Sequence, residues 1–207
     1  EAGGHPRFED RLAEASPGAA VAVTGDETAF WLYSSGSTGM PKGVIHVHSS
    51  LKGTSDTYAL DVLGIREDDV VFSVAKLFFA YGLGNGMTFP LAVGATTVLV
   101  PGRPTPDAIF EVLKTHRPTI FYAVPTLFAA MLGAAGGDPV PGMDRVRLSV
   151  SAGEALPEEI GARWKARHGT DILDGGGSTE RLPSFLSTVP GAVVYGASGV
   201  PVPGYAV

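Results

Sequence analysis

The run Tyr33-Ser34-Ser35-Gly36-Ser37-Thr38-Gly39-Met40-Pro41-Lys42-Gly43 gathers groups suited to holding an anion. Small residues let backbone N–H groups approach closely, the hydroxyls of Ser34, Ser35, Ser37 and Thr38 add donors, and Lys42 supplies a cation. An apolar stretch with strand character, Ala29 to Tyr33, leads straight into it, the arrangement in which a strand delivers a loop to phosphate. It is not a Walker A loop, because Pro41 precedes the lysine and Gly43 follows it where that motif needs Ser or Thr.

A second run, Asp174-Gly175-Gly176-Gly177-Ser178-Thr179-Glu180, follows another short strand and ends in two hydroxyls and a carboxylate. A hard oxygen ligand of this kind suits Mg²⁺. Between the two lies Ser151-Ala152-Gly153-Glu154-Ala155-Leu156-Pro157, a strand-to-helix turn in which Gly153 permits close backbone approach and Pro157 opens the helix. The segment from Lys76 to Asn85 groups Phe78, Phe79 and Tyr81 beside Gly82, a combination able to flank a flat ring. His46 and His48 are two apart, a strand spacing that would put both imidazoles on one face, but no third ligand is near and a metal role is not expected.

Positioning these groups requires a layered frame. Short β-branched or aromatic runs (Ala29 to Tyr33, Val70 to Val74, Ala95 to Val100, Thr119 to Ala123, Arg147 to Val150, Asp171 to Leu173) alternate with helical periods (Ser49 to Leu60, Pro106 to His116, Pro125 to Leu132, Pro157 to His168). Alternation of this kind predicts an α/β fold: a layered, mostly parallel sheet with crossover helices, and the Gly- and Pro-rich stretch Gly133 to Pro141 as a surface loop. We expect residues 1–27 to form a lead-in and residues 28–207 the core.

Composition narrows the function. The 207 residues carry a net charge of −6 with no basic stripe, so nucleic acid is not an expected partner. No apolar stretch reaches the ~20 residues needed to span a bilayer, so no membrane role is expected. With no Cys, thiolate metal sites and cysteine nucleophiles are excluded, and a reducing cytoplasm is the expected compartment.

Order and spacing of the two glycine-rich runs resemble the adenylate-forming superfamily of acyl-CoA synthetases, peptide-synthetase adenylation domains and luciferases. By that resemblance the first run wraps the β- and γ-phosphates of ATP through Thr38, Lys42, Ser34, Ser35, Gly36, Ser37 and Gly39. Gly153, Glu154 and Ala155, with Asp174, Gly175, Gly176 and Ser178, would border adenine and the bound acid. Thr179 would contact the α-phosphate, and Glu180 would bind the bridging Mg²⁺.

Lys76-Leu77-Phe78-Phe79-Ala80-Tyr81-Gly82-Leu83-Gly84-Asn85 resembles benzoate and hydroxybenzoate CoA ligases in particular, as do Phe185 to Ser187 and Tyr195 to Tyr205. The resemblance implies an aromatic-acid pocket formed by Ala80, Tyr81, Gly82, Gly153, Gly177 and Ser184, with coenzyme A as acceptor. Gly176 departs from the bulky apolar or aromatic residue usual in the family, and Arg181, Pro183 and Ser184 stand where Met, His and Ile are common. A substituted or larger aromatic acid is therefore expected. The family's ribose-gripping Asp, hinge and lysine-bearing C-terminal domain have no counterpart, so these residues are expected to fold as a subdomain and turn over little alone. Two alternatives share both loops: an adenylation domain serving a carrier protein, and a non-catalytic nucleotide-binding fragment.

Overall fold

The computed structural model describes residues 5–35, 39–137 and 139–206. After a short exposed helix, α1 (Phe8–Glu14), the chain forms a hairpin of β1 (Thr28–Ser34) and β2 (Lys42–Val47), antiparallel and paired only with each other. Helix α2 (His48–Thr54) leaves β2 directly and continues as a π-helix over Ser55–Leu60. Hydroxyls account for the loosened turn: Thr54 Oγ1 and Ser55 Oγ donate to carbonyls of the preceding turn at 2.8–3.2 Å, and Thr57 Oγ1 donates to Gly53 O at 2.9 Å.

A seven-stranded sheet follows, in the order β4-β3-β5-β6-β7-β8-β9. Strands β3 (Val70–Ser73), β4 (Thr96–Val98), β5 (Ile120–Ala123), β6 (Leu148–Ala152) and β7 (Ile172–Ser178) are parallel. Strands β8 (Leu182–Ser187) and β9 (Val200–Pro201) complete the sheet antiparallel. The crossover from β3 to β4 holds α3 (Ala80–Leu83), a π-helical turn over Gly84–Thr88 and α4 (Phe89–Val93). Helices α5 (Pro106–His116), α6 (Pro125–Ala134) and α7 (Glu158–His168) make the remaining crossovers.

Period-2 alternation sorts the core onto the two faces of this sheet. Phe72, Phe121, Ala123 and Ile172 point to one face and pack with Ile109, Leu113, Phe128, Met131 and Trp164 from α5, α6 and α7. Val71, Ile120, Tyr122, Val150 and Leu173 point to the other and pack with Tyr58, Ala59, Leu63 and Phe89. Ser149 faces the first cluster, where its hydroxyl accepts the Trp164 indole N–H at 3.2 Å.

The expected crossover helices are present, with end shifts of a few residues. Two expectations need correction, and two features were not expected. Ala29 to Tyr33 is not a strand of the main sheet; the link from Ser34 to Lys42 is too short for a parallel crossover, so β1 pairs antiparallel with β2. The glycines of the second run lie inside β7 and do not follow it. Residues Ala80 to Val93 are helical despite several glycines, because burial of Phe89 and Pro90 outweighs local propensity. Strands β8 and β9 were not anticipated.

A buried ion pair fastens the amino ends of β3, β5 and β6. The Asp69 carboxylate accepts from Arg147 Nε at 2.9 Å and Nη2 at 2.5 Å, from the Thr119 hydroxyl at 2.7 Å and from Arg66 N–H at 2.8 Å. Burial opposes ionisation of Asp69, but these bonds and the guanidinium charge hold its carboxyl below the usual range. A depressed folded pKa contributes stability above the ordinary carboxylate value of ~3.9 and loses it as pH falls through the folded value. Urea titrations are expected to show Asp69→Asn destabilised by about 3 kcal/mol at pH 7, with the difference from wild type shrinking on acidification.

Candidate active site

The loops leaving β3, β5, β6 and β7 enclose a cleft of about 690 Å³. Val74 and Lys76 come from the end of β3 and Val124 from the end of β5; Ala152 with Gly153, and Gly177 with Ser178 and Thr179, come from the ends of β6 and β7. Open α/β sheets bind ligands at this carboxyl edge. Much of the wall is apolar, formed by Phe79, Ala80, Tyr81, Pro104, Val124 and Leu127.

Backbone and hydroxyl contacts set that wall. Tyr81 donates its hydroxyl to Val150 O at 3.0 Å and meets the Tyr122 ring edge-on at 6.3 Å between centroids. Burial pushes its phenol well above the ordinary tyrosine range, so it remains a donor. Gly82 holds the start of α3 against the preceding loop: a Cβ there would lie 2.0 Å from Lys76 O. The Lys76 ammonium donates to the carbonyls of Val100 and Gly102, tying the β3 loop to the chain after β4, and Arg103 lines the same cleft. At Gly153 φ is +91°, a conformation that costs glycine little and other residues more.

The hairpin meets the cleft at the turn between β7 and β8. His46, 4% exposed, stacks on Phe30 with ring centroids 5.0 Å apart and donates from Nε2 to Thr179 O at 2.9 Å. The neighbouring Glu180 is exposed. Its carboxyl is held below the usual range by its own backbone N–H and the Ser178 hydroxyl, and further by the charges of Lys42 and His46. Lys42, opposite Ser34 at the mouth of the hairpin, thus lies within electrostatic reach of Glu180. A smaller recess of about 320 Å³ adjoins this turn, lined by His46, Ser50, Thr54, Glu180, Arg181 and Tyr205.

Among the expected site residues, Ala80, Tyr81, Gly153, Gly177, Ser178 and Thr179 therefore line one cleft, Glu180 follows Thr179 and lines the adjoining recess, Lys42 stands on the hairpin, and Gly82 is buried behind the wall. Ser34 and Ser35 lie at the end of β1, and Gly39, with φ +85°, precedes β2. Gly36, Ser37 and Thr38 fall outside the described residues. Asp174, Gly175 and Gly176 lie deeper in β7; burial pushes the Asp174 carboxyl up, partly offset by backbone N–H groups of Leu156 and Gly175. Ser184 is buried on β8, its Oγ 3.2 Å from where a Cβ on Gly175 would stand, and Glu154 and Ala155 are exposed outside the cleft lining. A Cβ on Gly176 would reach ordinary contact with Leu186 at 3.4 Å.

Sequence reasoning missed the contributions of His46, Lys76, Arg103, Val124 and Leu127. For His46 a signal was present: it stands two residues from Val44 in a β-branched run and so shares its face, opposite the exposed Ile45. The donor set at Glu180 fits a hard divalent cation, one ionised carboxylate with hydroxyls beside it leaving further ligand positions for phosphate oxygens and water. No group of three or more His, Asp or Glu able to hold a metal by itself occurs among the described residues, and no described helix is long and apolar enough to cross a membrane.

The clash at Gly82 gives a direct test of the wall. Gly82→Ala is expected to lower stability by about 3 kcal/mol in denaturant titrations, because α3 has to move off the Lys76 carbonyl.

Comparison with known proteins agrees with this geometry. The model of the AMP-binding enzyme family matches residues 3–207. Benzoate–CoA ligase of Thauera aromatica is 64% identical over 180 residues, 87% of this chain and 34% of that protein. A 4-hydroxybenzoate–CoA/benzoate–CoA ligase of Rhodopseudomonas palustris is 55% identical over 192 residues, 93% of this chain and 35% of that protein. Among solved structures, a benzoate CoA ligase from Burkholderia xenovorans superposes with TM-score 0.90 at 55% identity, covering 97% of this chain and 40% of the other. The anthranilate CoA ligase AuaEII, solved with anthranoyl-AMP, gives TM-score 0.93 at 38% identity, covering 100% and 40%. The chain spans about a third of the length of the curated relatives it matches. The match of the family model along residues 3–207 places this chain in the AMP-binding enzyme family.

Proposed function

We propose that this chain is the nucleotide- and acid-binding part of a cytoplasmic ATP-dependent ligase that converts a benzoate-type acid to its acyl-adenylate and then to its coenzyme A thioester. The observation that carries the reading is the hydrogen bond from His46, on the strand that bears Lys42, to Thr179 O at 2.9 Å, beside a cleft walled by Phe79, Ala80 and Tyr81. The relatives named for benzoate and hydroxybenzoate support the acid class.

In the first half-reaction an acid carboxylate oxygen attacks the α-phosphorus of ATP, the bond to the β-phosphate oxygen breaks, and pyrophosphate leaves. In the second, the coenzyme A thiolate attacks the acyl carbon and AMP leaves. No protein nucleophile is required. The residues have to orient reactants and offset charge, which suits backbone N–H groups, hydroxyls, one lysine and one carboxylate. Lys42 and the hydroxyls of the hairpin loop, Thr38 among them, would face the departing phosphates, and Thr179 the α-phosphate. Glu180 would hold Mg²⁺, which supplies charge neutralisation on the phosphates. Tyr81, Ala80 and Gly177 would bound the aromatic ring, with Ser184 favouring substituted rings from behind Gly175. A ribose-gripping Asp, a hinge and a C-terminal domain bearing a lysine would come from outside this chain.

Pyrophosphate release by the full-length protein, with Mg²⁺, ATP and a panel of aromatic and straight-chain acids, tests the proposal. Aromatic acids are expected to be turned over at least ~10-fold faster than straight-chain acids, a selectivity within reach of a shaped apolar pocket. Lys42→Ala and Glu180→Gln are each expected to lower the rate about 10²- to 10³-fold. Preference for a straight-chain acid, or no pyrophosphate with any acid, would rule the reading out; fastest turnover of unsubstituted benzoate would remove the preference for substituted rings.

A further inference from the structure

We propose that His46 is a positioning residue that couples the two nucleotide loops, fixing the Thr179-Glu180 peptide relative to the hairpin that carries Lys42. The inference rests on the nucleotide-binding reading above. A two-stranded hairpin alone is marginally stable in water. Here β1 and β2 pair only with each other, and Trp31, Tyr33 and Ile45 on the hairpin are exposed. His46 is the inward exception on β2: buried, in register with Phe30 and stacked on its ring. From there it reaches across 133 residues of sequence to Thr179 O.

The acceptor is the carbonyl of the peptide whose N–H belongs to Glu180. Holding this peptide plane therefore sets the direction of the Thr179 side chain on one side and of the Glu180 carboxylate on the other. Lys42 is four residues from His46 on the same strand, so one hydrogen bond sets the spacing between the lysine and the carboxylate. An imidazole N–H donates in the neutral and the charged ring alike, so the tether does not depend on protonation. His48 has no share in it: it is exposed at the start of α2, where its backbone N–H donates to Glu27 O at 3.1 Å.

Two variants of the full-length protein separate positioning from packing. His46→Phe keeps an aromatic ring for Phe30 but deletes the donor; His46→Gln restores a donor at similar reach. Calorimetric titration with Mg²⁺ and ATP in the absence of acid is expected to show His46→Phe binding about tenfold more weakly, the range set by losing one buried hydrogen bond. His46→Gln is expected to bind within about threefold of wild type. The KM for ATP should rise in parallel for His46→Phe while the KM for the acid stays level. In a Glu180→Gln background, His46→Phe is expected to add little, the mark of two residues acting as one unit. Unchanged Mg²⁺-ATP affinity in His46→Phe, equal defects in Phe and Gln variants, or parallel rises in both KM values would overturn the proposal. A wild-type protein that binds Mg²⁺-ATP yet activates no aromatic acid would refute the ligase reading alone, since the affinity comparison still decides the role of His46.

Discussion

Parallel pairing of β3, β5, β6 and β7 is the constraint on which the rest of the structure depends. Because these strands run the same way, each ends at the same edge, and each end contributes to one cleft: Val74, Val124, Ala152 and Gly177. Parallel strands also need covered faces. The two aromatic and aliphatic clusters on either side of the sheet meet that need, and the Asp69-Arg147 pair fixes the amino ends so that the carboxyl ends stay level.

Onto this edge the chain brings two elements that do not belong to the parallel set. The hairpin β1–β2 precedes the sheet in sequence, and the turn between β7 and β8 marks where strand direction reverses. Among the described residues they are joined by a polar link, the His46 ring N–H on the Thr179 carbonyl. Beside this junction Glu180 stays exposed at the edge of a recess.

Much of this was legible in the sequence, and what was not has physical reasons. Helix α5 could be read from Pro106 and the shared face of Ile109, Phe110 and Leu113, and its bounds agree; the Thr105 cap on Ala108 N–H emerges only in the structure. The parallel strands were legible because residues such as Ile120 to Ala123 are apolar on both faces. The roles expected of Lys42 and Glu180 rest on the two glycine-rich runs, and the structure links the strand after the first to the end of the second through His46 and Thr179 O. The hairpin was not, since a two-stranded antiparallel unit looks like any strand until its partner is known. The helical stretch from Ala80 was hidden by glycines whose purpose is tertiary: Gly82 is small because a carbonyl lies against it. Ser184 was read as a wall of the acid pocket, and the structure places it behind Gly175, a depth that depends on the register of β8 against β7 and not on its own sequence.

A crystal structure of the full-length protein with Mg²⁺ and a non-hydrolysable ATP analogue tests the central claim most directly, namely that the hairpin and the β7–β8 turn serve one triphosphate. The account predicts the phosphates between the Ser34 to Lys42 segment and Thr179, with the Glu180 carboxylate on the metal and His46 still bonded to Thr179 O. Phosphates bound elsewhere, or a Glu180 carboxylate directed away from the metal, would contradict it.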